Sequence, residues 1–222
     1  MDSPITIAFI VVGSIVMIAL IVMIARYYEK QRTEALQAVA TSIGLTFAGA
    51  PSDSFLPSLS KFALFSHGHS KKARNLMTGI IDGIEMSIFD YRYTTGGGKN
   101  SHTHHQTVLL LRSPALDLPA FSLRPEHVFH KIGKAFGYQD INWDTHPVFS
   151  DKYLLRSSDE LAIRDVFTSD ILEYYEERPG LSTEANGGQL IFFRASKKVK
   201  PEDLPGFLKN GLHIYALFAG DL

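Results

Sequence analysis

The chain has no cysteine among its 222 residues. That excludes disulfides, thiolate nucleophiles and cysteine-based zinc or iron–sulfur centres, and it suits either side of a membrane. Net charge is almost absent too. Lys and Arg number 22 against 23 Asp and Glu, giving −1, a field too weak to gather nucleic acid, so no nucleic-acid partner is expected. There is no internal repeat, and the short Gly96-Gly97-Gly98 is the nearest thing to a low-complexity tract. Residues 5–25 lack charge altogether.

What fills that gap is apolar. Thirteen of the 21 residues from Ile5 to Ala25 are Ile, Val, Leu or Phe. A helix of this length covers about 30 Å, the thickness of a bilayer's hydrocarbon core. At roughly −0.3 to −0.6 kcal/mol each, those residues favour insertion by about 4 to 8 kcal/mol. A cleaved signal peptide has a basic start, a shorter apolar core and small residues at its end. Here Asp2 is the one side-chain charge before the run, and Arg26-Tyr27-Tyr28 follows it. The pattern predicts an uncleaved, single-pass anchor in contact with the lipid bilayer through residues 5–25. Tyr27 and Tyr28 suit the interface, and Arg26, Lys30 and Arg32 follow the span with no Lys or Arg before it. The positive-inside bias then puts the amino terminus outside and the carboxyl-terminal part in the cytoplasm.

Three segments are expected: an anchor over 1–26, an amphipathic juxtamembrane helix over 27–44 and a soluble domain over 45–222. In the second, Leu36, Val39, Ala40 and Ile43 recur at helical spacing, and Gly44 is placed to end the helix. This stretch could lie on the membrane, pair with a second copy or pack on its own domain; it is too short for a coiled coil.

The soluble part has an α+β pattern. Strands are expected at 61–65, 76–81, 84–93, 106–112 and 119–123. Asp82-Gly83 is the pair a type I′ hairpin requires, and 96–100 makes the next turn. A helix is expected from Arg124-Pro125-Glu126, with Val128, Phe129, Ile132 and Phe136 as its stripe and His127 and His130 at its surface or boundary. A second starts at the capping box Ser157-Ser158-Asp159-Glu160, carries the Glu160–Arg164 pair, breaks near 168–170 and stops before Pro179. A strand over 189–194 and a helix from Pro201 to about Gly211 complete the order. The expectation is an antiparallel meander with about three packed helices.

Candidate chemistry is sparse. His67, His69, His102 and His104 form two close-spaced pairs, each aimed to one side of an extended chain. Together they could hold zinc or another transition metal through nitrogen ligands. Both clusters also read as polar loop sequence beside turns, and neither matches a His-Glu-x-x-His helix. Gly96-Gly97-Gly98-Lys99 lacks the earlier glycine and the following Ser or Thr of a phosphate loop. No Gly-x-Ser-x-Gly elbow or paired acids argue for catalysis. Lys197, Lys198 and Lys200 make a small basic edge, either solvated or near anionic headgroups.

The order of elements resembles uncharacterised bacterial single-pass membrane-anchored proteins. The resemblance rests on the anchor, Glu34 to Ala40 running into Ile43-Gly44-Leu45, the stretch from Gly79 to Phe89-Asp90-Tyr91, and Phe149 to Phe167 with Tyr153, Asp159-Glu160 and Arg164 inside it. It implies an inner-membrane protein and supplies no functional residues. Three readings stay open: a membrane-anchored cytoplasmic domain that binds or scaffolds an unknown protein partner, with no catalytic residues and no cofactor; a metal-binding protein or metal-dependent enzyme on the histidine clusters; and an anionic-lipid surface binder.

Overall fold

A computed structural model describes residues 4–126 and 140–220, with side chains from residue 9 onward. The α1 helix (Pro4–Ser42) runs unbroken for 39 residues, about 58 Å at 1.5 Å per residue. Its apolar side chains from Phe9 to Ile24 are 44–74% exposed. No described part of the domain covers them, and among the described helices α1 is the one long and apolar enough to cross a membrane. The same helix then changes character. Leu36 and Ala40 are fully buried, so the juxtamembrane stretch packs on its own domain. Gly44, at φ +75°, ends the helix in the left-handed conformation.

After α1 come β1 (Thr46–Gly49), α2 (Phe55–Ser58), α3 (Ala63–Ser66), β2 (His69–Ile81), β3 (Ile84–Thr95), β4 (His102–Arg112) and β5 (Leu118–Pro125). Beyond the undescribed stretch lie α4 (Pro147–Lys152), β6 (Tyr153–Ser157), α5 (Glu160–Val166), α6 (Ser169–Glu177), β7 (Ser182–Gly187), β8 (Gln189–Phe193) and α7 (Leu204–Ala219). All eight strands join one antiparallel sheet in the order β1-β2-β3-β4-β8-β7-β5-β6. The α+β expectation holds. Asp82 and Gly83 both have positive φ, as a type I′ turn between β2 and β3 demands.

Alternation along the strands makes two apolar faces. One carries Met86, Ile88, Leu109, Leu111, Leu123 and Phe192, and it is covered by the end of α1 and by the helices from α4 to α7. Gly211 lies in the middle of α7, which runs on to Ala219 rather than stopping there. A Cβ at Gly211 would come within 2.2 Å of Leu109 Cδ2, so the glycine is needed for close packing on the sheet. The other face carries Phe89, Tyr91, Tyr93, Val108, Leu110 and Ile191, and the short α2–α3 segment covers it with Leu59, Phe62, Leu64 and Phe65. Each such aromatic or leucine contributes about 1.5–3 kcal/mol by leaving water.

Several expectations are corrected. Residues 61–65 do not form a strand. Phe62 and Phe65, three apart, both turn onto the sheet, which helical spacing permits and alternation does not. Arg124 and Pro125 end β5 instead of opening a helix. The rest of that helix, with His127 and His130, lies outside the described residues. The α5 cap is Asp159, whose side chain accepts from the Ala162 N–H, while Ser157 accepts from the Asp159 N–H. The break near 168–170 and the Glu160–Arg164 pair are as expected.

Candidate functional site

The α2–α3 segment covers only part of its face. Beside it, over β5, β6 and β7, is a cleft of about 260 Å³. Period-two alternation supplies its floor. Phe121 and Leu123 point into the core, so Ser122 and Arg124 point the other way, as do Leu154 and Arg156 on β6 and Glu184 on β7. Ser60, Lys61, Phe62 and His67 form the wall above. Gly68 makes that wall possible: at φ +66°, with the Thr94 carbonyl 2.4 Å from any added Cβ, it lets the chain turn from α3 into β2.

Glu184 sits at the base and is 1% exposed. It pairs with Arg124 Nη2, accepts from the Leu64 N–H at 3.1 Å and lies 3.5 Å from Ser122 Oγ. Arg124, itself buried, keeps an Nε with no hydrogen-bond acceptor among the described residues. Burial lowers the His67 pKa, and the positive charges of Arg124 and Lys71 add to that against the opposing pull of Glu184. Burial likewise lowers Arg156, with Asp140 opposing and Arg124 reinforcing. Cationic groups thus crowd one cleft in which, among the described residues, Glu184 is the one acid of the lining. Such a site suits a carboxylate or phosphate. Ser66 Oγ is 3.2 Å from Nδ1 of the adjacent His67, but it also donates to the Ala63 carbonyl at 2.9 Å.

A second ion cluster lies where α1 meets the sheet. Arg32 donates to both oxygens of Asp90, at 2.8 Å each. Thr107 Oγ1 donates to Asp90 at 2.8 Å, and Asn75 Nδ2 at 3.0 Å. Asn75 reaches it through a bulge in β2 at positive φ, and its own Oδ1 accepts from Thr33 of α1. Burial alone would raise the Asp90 pKa; the hydrogen bonds and charge of Arg32, with Lys198 and Asn75, hold it below the usual carboxylate range. Lys198 also bonds Glu29 at 3.0 Å, so the basic edge reaches the anchor helix. Nothing in the composition signalled this contact, because Arg32 and Asp90 are 58 residues apart.

The histidine candidates lie apart in function. His67 lines the cleft. His69 opens β2 and bonds the Gly96 carbonyl at 3.1 Å. His102 pairs with Thr95 across β3 and β4. His104 stacks on Tyr93 and bonds Thr95 and Ser196. Both clusters, expected as loops, instead continue into strands from His69 and from His102. Among the described residues no group of three or more His, Asp or Glu side chains is arranged to share a metal ion.

The cleft was missed because Arg124 reads as a helix start and no strand is expected between Pro179 and residue 189. The available signal was Asn186-Gly187-Gly188 before an apolar strand, which implies a hairpin partner on its amino-terminal side.

No protein-family model matches the chain, and no curated protein matches its sequence. Among solved structures, the crystal structure of the mycobacterial trehalose monomycolate transport factor A is similar, with a TM-score of 0.61 over 85% of this chain and 93% of that one. Identity is 13%, so the likeness is one of fold alone.

Proposed function

We propose that this chain is a non-catalytic binding domain held at a bacterial inner membrane by a single pass of α1. Its amino terminus is outside, its folded part is cytoplasmic, and it receives an acidic group of a partner protein in the α3–β6 cleft. The observation that carries this reading is the continuity of α1. One helix has every apolar side chain from Phe9 to Ile24 exposed, then buries Leu36 and Ala40 in the core of the domain. Exposing that much apolar surface to water is costly at about 25 cal/mol per Å², so a bilayer around it is the economical solution. The basic flank of Arg26, Lys30 and Arg32 supports the orientation. The shared fold with a transport factor supports an auxiliary role over turnover of a substrate. Paired guanidinium groups on the floor of the cleft favour a carboxylate as the bound group.

A photo-crosslinking residue at Ser157, on the rim of the cleft, tests this in native membranes. The reading expects the chain to stay in the membrane after alkaline carbonate washing and to form one discrete adduct that Arg156→Glu abolishes. Loss of the chain to the carbonate wash, or an adduct unaffected by Arg156→Glu, would overturn it.

A further inference from the structure

The face of the sheet that meets α1 has a second feature that the ion cluster does not absorb. Lys72, Arg92 and His105 stand directly opposite one another on β2, β3 and β4, two cations and an imidazole in a row about 10 Å across at the spacing of neighbouring strands. Like charges directly opposed on a sheet are unfavourable, so the row works against the fold in isolation. Among the described residues, no acid lies within ion-pair distance of Lys72 or Arg92, whereas Arg74 and Lys198 both reach Glu29. The row opens onto a pocket of about 170 Å³ bordered by Glu29, Arg74, Asp90 and Lys198. Its two acids are already engaged: Asp90 by Arg32, and Glu29 by Lys198 and Arg74. Partial burial, with Lys198 and Arg92 beside it, lowers the His105 pKa despite Glu29 and Asp90, a sign that positive potential prevails there.

Location says what the row is for. Glu29 lies four residues past Ala25, where the apolar run ends, about 6 Å further along the helix axis. Tyr27 and Tyr28, 58% and 66% exposed, occupy the turn between, at the level aromatic side chains take among headgroups. With α1 across the bilayer, the pocket is therefore held at headgroup depth. We propose that Lys72, Arg92 and His105 form a binding site for the phosphate of an anionic phospholipid in the leaflet from which α1 emerges. The site rests on α1 spanning the bilayer as set out above, and is independent of the α3–β6 cleft. Its chemistry, a phosphate held by lysine and arginine, would equally take free phosphate, and the experiment separates the two sources.

The full chain is reconstituted in nanodiscs containing equal parts phosphatidylglycerol and phosphatidylcholine, and the lipids retained on release are read by native mass spectrometry. Wild type is expected to retain phosphatidylglycerol selectively, even with inorganic phosphate in the buffer. The double variant Lys72→Gln/Arg92→Gln is expected to lose about thirtyfold in that preference, the effect of two surface cations. Arg164→Gln/Arg178→Gln, an equal loss of charge on the helices at the β6 end of the sheet, is expected to keep it. Lys72 and Arg92 are both exposed, so thermal unfolding should be unchanged or raised as opposed charges are relieved. Equal retention of the two lipids would overturn the site. So would displacement of phosphatidylglycerol by inorganic phosphate, which marks a free-phosphate site. A chain that fails to enter the nanodisc at all would instead break the anchoring premise, and the two failures are told apart before any lipid is counted.

Discussion

Two buried arginine–carboxylate pairs sit on opposite faces of the same sheet, and they are built differently. In the α1 junction, Asp90 receives both arms of Arg32, a threonine hydroxyl and an asparagine amide. In the cleft, Glu184 receives Arg124 and one backbone N–H, with Ser122 at the limit of reach, and Arg124 keeps an unbonded Nε. A satisfied buried pair fixes geometry, because removing either partner strands a charge out of water. A partly satisfied one beside open volume has capacity left for a ligand. The first pair joins elements 58 residues apart and decides where the domain stands; the second borders the cavity and decides what it can hold.

The sharpest break of that contrast is Arg32→Ala. Side chains at the junction are 15% and 9% exposed, so removing the bidentate partner of Asp90, with Thr107, Asn75 and Lys198 left in place, should destabilise the domain by about 3–5 kcal/mol, read by chemical denaturation of the full chain in detergent. A loss under about 1 kcal/mol would show that the junction pair is no lock. Arg124→Met should do less, about 2–3 kcal/mol, because the open cleft beside Glu184 lets water reach its carboxylate. Adding Glu184→Leu to it should restore most of that loss, a double-variant comparison that separates the worth of the pair from the penalty of orphaning one member.

Acidity should separate the two regions with smaller effects. The Asp90 carboxyl is held below its ordinary 3.8, so its stabilisation is fully present above that value and fades as pH falls through the lower folded pKa. His67 and His105 are held below 6.5. Between 6.5 and those lowered values the unfolded chain binds more protons, so stability falls as pH drops from 7. His67→Gln should flatten that slope while leaving the loss below 3.8 intact. An unchanged slope on urea titration across this range would remove His67 from the cleft's electrostatics.

How much of this was legible in the sequence differs by contact range. The long apolar helix, the Asp82-Gly83 hairpin, the Glu160–Arg164 pair and the break before Ser169 depend on neighbours within a few residues, and all appear as read. The strand β7 was not, because Ser182, Thr183 and Glu184 are buried by their neighbours β5 and β8 rather than by their own hydrophobicity. Residues 61–65 failed for a related reason: a short apolar run fits a strand or a helical turn equally well, and only the face it must cover decides. Both ion pairs were invisible because charge complementarity across dozens of residues leaves no local spacing to count.

The unbroken α1 has a mechanical consequence. With no flexible joint between the apolar stretch and Arg32, the angle between the domain and the apolar stretch, and with it the face turned to the proposed bilayer, is set by helical phase alone. One residue inserted between Ala25 and Glu29 would rotate the domain by about 100° about the helix axis and raise it by about 1.5 Å. The row of Lys72, Arg92 and His105 would keep its own geometry yet swing round the axis to a different azimuth. The chain is in this sense a key cut on a single shaft, and its teeth are defined by where the shaft stops turning.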